Sequence, residues 1–135
     1  MSFRLRKYEK LWLETLESPK TRKKEFYLGS KNAQCCLGWA ATTQKCTFHP
    51  DDETLSAIPE FNYDKIRLYS DTGTINISKL NQKGRDILLK YMNLLPLYLD
   101  LAMLNDGESI KDIKPMPHKE IAKFIRVNPE AVLRK

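Results

Sequence analysis

The chain has 135 residues, 41% of them apolar and 10% aromatic, which excludes disorder as the default and suits one folded domain around a single core. Its formal charge of +6 and pI near 9.2 favour polyanionic partners, though many domains carry such an excess only for solubility. Arg4, Arg6, Lys7 and Lys10 precede no apolar run, so a secretory signal is not expected. The window Leu94 to Leu104, broken by Pro96 and Asp100, is too short for a bilayer. Three cysteines, an odd number, fit free thiols in a reducing cytosol. The expected location is cytoplasmic, with no membrane partner.

Residues 3 to 18 predict a helix with Leu5, Tyr8, Trp12 and Leu16 on one stripe. Ser18-Pro19 ends it, because proline disfavours the helical state in the residue before it. Lys20 to Lys24 is a basic connector, and Phe26-Tyr27-Leu28 reads as a short strand or an apolar plug. From Asn32, a candidate N-cap, to Thr43 the small and apolar residues suit a buried helix. Gly38 inside it would cost about 1 kcal/mol relative to alanine, which hints at close packing. Residues 44 to 64 show no period and read as a long loop.

Lys65 to Tyr69 and Thr74 to Ile77 alternate polar and apolar around Ser70-Asp71-Thr72-Gly73, the pattern of a β-hairpin. Asn81 to Asn93 returns to a helical period, Pro96 opens a short helix through Leu104, and Asn105-Asp106-Gly107 stops it. His118 to Arg126 is helical, and Asn128-Pro129 caps a further turn or two. The expected fold is α+β and mainly helical: a single compact domain over residues 1–135, with about five helices and one hairpin at about residues 65–77.

Cys35, Cys36, Cys46 and His49 supply a weak zinc set. Adjacent cysteines on a helix point in different directions, and a buried cysteine is commonly a small core residue. Cys35 or Cys36 with His49 or His118 would mimic a thiol nucleophile and its base, but one sequence does not show spatial pairing. Phosphate loops, dinucleotide glycine patterns and glycine-framed serines are missing. The expectation is therefore a protein without catalytic activity, metal or cofactor.

The basic segments are the better binding candidates. Lys20, Arg22, Lys23, Lys24 and Lys31 surround Phe26 and Tyr27, a composition suited to a phosphate or an acidic partner. Glu120-Ile121-Ala122, followed by Ile125, Val127, Asn128-Pro129, Val132 and Arg134, resembles a helix-turn-helix, with Arg126 where that motif's turn usually has glycine. In that reading Lys119, Lys123, Arg126 and Arg134 are candidate nucleic-acid contacts.

Trp12 and Leu16, Cys35 to Gly38, Leu104 to Gly107 and Glu120 to Ile125 together resemble small proteins found widely in phages and prophages. The islands run from end to end of the chain with the middle unmatched. Two departures stand out: the basic run at 20–24 replaces a glycine- and glutamine-rich linker, and Ile110 to Pro117 intervene before the final helix. The resemblance transfers no catalytic residue. In its pattern Ile121, Ala122 and Ile125 pack on the core, and Asn105-Asp106 caps the following helix. It implies a binding protein acting on a host protein or signalling molecule, for instance as an inhibitor of host defence. A nucleic-acid-binding regulator is the alternative, and the oligomeric state is left open.

Overall fold

A computed structural model describes residues 3–20, 22–23, 33–44 and 62–135, with only the backbone of Arg22, Lys23, Ala33 and Gln34. Helix α1, Lys7–Glu17, starts where Glu9 accepts the Arg6 N–H at 2.7 Å and buries Trp12, Leu13 and Leu16. It stops at Ser18, whose extended backbone is the one the following Pro19 favours. A two-residue parallel pairing joins β1, Arg22–Lys23, to β2, Ala33–Gln34. Helix α2 is Cys36–Thr43, and its N-cap is Cys35, whose sulfur accepts the Gly38 N–H. The expected cap, Asn32, lies outside the described residues.

The expected hairpin at about 65–77 is not formed. The Ser70–Gly73 turn is present, with Gly73 at φ +71° and its N–H on the Ser70 carbonyl at 3.1 Å. Its two arms, however, pair elsewhere. Leu68 pairs with Leu133, Thr74 pairs with Asp100, and the Asn76 N–H reaches the Ala131 carbonyl at 2.7 Å. Ile66, Leu68 and Ile75 are all buried, and both arms take their backbone partners from the C-terminal segment 131–133 and from Asp100 instead of from each other. Ile77–Lys79 then forms a single 3₁₀ turn.

Helix α3, Gln82–Leu88, is shorter than expected and is capped by Asn81, whose amide oxygen accepts the Gly84 N–H at 2.8 Å. The next helix begins not at Pro96 but at Leu101, because Asp100 is extended and its carboxylate accepts the Met103 N–H at 2.8 Å. This α4, Leu101–Asp106, ends at Gly107, whose φ of +78° suits glycine. Helix α5, His118–Val127, and α6, Pro129–Val132, complete six α-helices among the described residues.

α5 is the central element. It packs on α1, α3, α4 and α6, with Ile121, Ala122, Phe124 and Ile125 fully buried. The large buried side chains of α1, α2, α4 and α5 belong to one hydrophobic cluster. Among the described residues no helix is long and apolar enough to cross a membrane.

Candidate functional site

Side chains from four segments far apart in the sequence meet in space. Trp12 Nε1 donates to the Cys36 carbonyl at 2.8 Å, and the Cys36 N–H donates to Asn105 Oδ1 at 3.0 Å. His118 Nε2 lies 3.0 Å from the same oxygen, and Asn105 Nδ2 donates to Asp106 at 2.8 Å. Asn105 is fully buried and joins the first residue of α2 to the first residue of α5. It therefore does not cap the helix that follows it. Asn105 and Asp106 are the last residues of α4, and the amide satisfies an orphan N–H of α2 instead.

The same geometry governs the thiols. Cys36 is fully buried, with Sγ 3.7 Å from the Leu101 carbonyl, and Cys35 is buried with Sγ accepting from Gly38. Burial pushes the Cys35 thiol up, and the nearby Asp106 charge adds to this against backbone hydrogen bonds that lower it. A thiol held protonated and out of solvent is suited to packing rather than attack. Cys46 and His49, the other half of the proposed zinc set, lie outside the described residues.

The predicted cations are described only in part. Lys20 is exposed beyond the end of α1, only the backbone of Arg22 and Lys23 is described, and Lys24 and Lys31 lie outside the described residues. Lys119 and Lys123 are exposed on α5. Arg126 is engaged by Glu17: its Nη2 donates to one carboxylate oxygen at 2.7 Å and its Nε to the other. The Arg126 hydrogen bond holds the Glu17 carboxyl below its usual range against modest burial. Arg134 donates to the carbonyls of Leu68 at 3.1 Å and Tyr63 at 2.8 Å.

The helix-turn-helix pattern takes a different form from a reading head. Asn128 separates α5 from α6, and α6 is one turn whose Ala131 and Val132, with Leu133, are fully buried. A recognition helix needs an exposed face long enough to enter a groove, and α6 is spent on the core.

One feature outside the sequence expectations is an apolar ridge on two joined loops. Leu94, Leu97 and Ile110 are 81%, 101% and 93% exposed, with Tyr98 half-exposed beside them. The loops are tied by a Met92–Ile113 pairing, by the Lys114 N–H on the Tyr91 carbonyl at 2.8 Å, and by Asn93 Nδ2 on Asp112 at 3.2 Å. Lys111 adds its ammonium over the Tyr98 ring, 5.5 Å from the centroid. The signal was present in Leu94-Leu95-Pro96-Leu97-Tyr98. Proline splits this run, so it suits neither a helix nor an alternating strand.

No family model, curated protein or solved structure matches this chain.

Proposed function

We propose that this chain is a non-enzymatic binding protein of phage type whose contact with a host protein is the ridge of Leu94, Leu97, Tyr98 and Ile110. The observation that carries the reading is the exposure of these large side chains on loops already tied to each other. Large apolar side chains exposed on loops tied to each other are what a contact site offers a partner. Each such side chain removed from water contributes about 1.5–3 kcal/mol, and a pre-tied surface loses little freedom on binding.

The surrounding charge selects the occupant. Lys90, Lys111 and Lys114 are exposed beside the ridge. The neighbouring acids turn to local donors: Glu108 accepts the N–H groups of Ile110 and Lys111, and Asp112 accepts from Asn93. A partner with an apolar groove and an acidic rim fits this arrangement, and the cationic rim opposes self-pairing. The phage-type resemblance supports a host target, including a component of host defence.

The test is affinity recovery from bacterial host lysate with the wild-type chain and with the Leu97→Ser/Ile110→Ser double variant. Both substitutions fall on exposed positions, so the unfolding midpoint should move by less than about 0.5 kcal/mol equivalent per site. Recovery of a stoichiometric protein by the wild type, lost in the folded variant, is the expected result. Equal recovery by both, or by neither, overturns the proposal.

A further inference from the structure

A second surface is assembled from three chain segments that are far apart in sequence. Arg6 Nη1 donates to the Asp64 carbonyl at 2.6 Å, and Arg67 Nη2 donates to the Arg4 carbonyl at 2.9 Å. The Arg134 N–H donates to the Arg67 carbonyl at 2.7 Å, which brings the 134–135 segment alongside. The ammoniums of Lys65 and Lys7 lie 5.0 and 5.7 Å from the centroid of the Tyr8 ring. Residues 3–10, 62–68 and 134–135 thus form one strip.

The strip is cationic and incompletely neutralised. Arg67 is consumed by Glu9, with Nη2 at 2.7 Å from its carboxylate. Arg4, Arg6, Lys7, Lys10, Lys65 and Lys135 remain exposed, against the exposed acid Asp64 and, one turn beyond Lys10, Glu14. Gathering like charges from separate segments costs self-repulsion that a polyanion relieves. The apolar side chains within the strip, Phe3, Leu5 and Tyr8, are partly buried against the core rather than projecting. That offers charge without a wedge to enter a bilayer. The Tyr8 ring already carries two ammoniums, which disfavours base stacking on it.

We infer that the strip of Arg4, Arg6, Lys7, Lys10, Lys65 and Lys135 binds the phosphate backbone of nucleic acid without reading base sequence. The inference stands independently of the apolar ridge, which lies on other loops. It also relocates nucleic-acid contact away from Arg126, whose charge Glu17 already engages.

Fluorescence anisotropy with the full chain and labelled DNA duplexes of about 20 base pairs, in two unrelated sequences, tests it. With about four phosphates engaged, the log–log salt slope is near −4 and affinity falls roughly a hundredfold between about 50 and 200 mM salt. The two sequences should bind within about twofold of each other. Lys7→Gln/Lys65→Gln should reduce the slope by about two and weaken binding at low salt, whereas Lys119→Gln/Lys123→Gln should change neither. No binding at low salt overturns the inference, as does binding indifferent to the Lys7/Lys65 pair. Equal or tighter binding to polyglutamate or to phosphatidylserine vesicles also overturns it, pointing to an acidic protein or a membrane instead.

Discussion

The amide of Asn105 is oriented by its surroundings. A backbone N–H can only donate, so the atom that Cys36 N meets at 3.0 Å is the oxygen, and His118 Nε2, meeting the same atom at 3.0 Å, must carry a proton. One oxygen therefore accepts from the first residues of two helices in a site closed to water. Asn105→Ala removes that acceptor from both donors at once. Leaving a buried donor without its acceptor costs about 1–3 kcal/mol, so the expected loss is about 2–6 kcal/mol for the pair. Urea unfolding measures it, and a loss under about 1 kcal/mol would show that the knot is not what joins α2, α4 and α5. Trp12, Cys36, Asn105 and His118 thereby acquire a physical role in the core.

Helix α3 and the α5–α6 junction show how elements depend on a close approach. A Cβ built on Gly84 would meet Asn128 Oδ1 at 2.3 Å. That oxygen accepts the Asn81 N–H at 2.8 Å, while Asn128 Nδ2 donates to the Lys79 carbonyl at 3.1 Å. Gly84→Ala should gain about 1 kcal/mol in helix propensity, yet the methyl displaces a fully buried asparagine. The clash should win, giving a net loss of about 1–3 kcal/mol in urea unfolding; a more stable variant would refute this. Local signals of this kind were readable in part. The periodicity of α1 and α5, the Ser18-Pro19 stop and the Asn105-Asp106-Gly107 stop all lie within a turn of the residues that cause them. The hairpin expectation failed because alternation at 65–69 and 74–77 encodes extended backbone with one buried side, not the identity of its partner. Leu133 and Asp100 supply those partners from far along the chain. Likewise Arg126 and Arg134 read as available charges, since Glu17 and the Tyr63 carbonyl lie far away in sequence. The cations Arg4 to Lys10 were visible as a group, but their juxtaposition with Lys65 was not.

At the scale of the whole molecule, Glu9 closes the fold by tying its N-terminal helix to the middle of the chain. Its Oε1 accepts the Arg6 N–H and Arg67 Nη2, each at 2.7 Å, and its Oε2 accepts the Arg67 N–H at 3.0 Å and Nε at 2.9 Å. Through the Arg67 carbonyl the same residue holds the Arg134 N–H. Burial alone would push the Glu9 carboxyl up, but the Arg67 guanidinium, the two backbone N–H groups and the Arg67 charge together hold it below the usual range. A carboxyl whose folded pKa is depressed stabilises the fold above its unfolded pKa, near 4.3, and loses that contribution as pH falls through the folded value. Stability should therefore be flat with respect to this group from about pH 7 to 5 and decline below about pH 4. Glu9→Gln keeps the size but sets an amide N–H₂ among donors and leaves Arg67 buried without its counter-charge, so the loss at neutral pH should be about 3–5 kcal/mol. The difference between wild type and variant, read from urea midpoints, should be greatest at neutral pH and shrink as acid protonates the wild-type carboxyl. Because the chain already carries +6 at pH 7, each further carboxylate protonated adds to the repulsion along the cationic strip, and the acid transition should steepen at low salt. A wild-type-to-variant difference that stays constant from about pH 7 to 3 would mean that Glu9 stabilises the fold through its shape and not its charge.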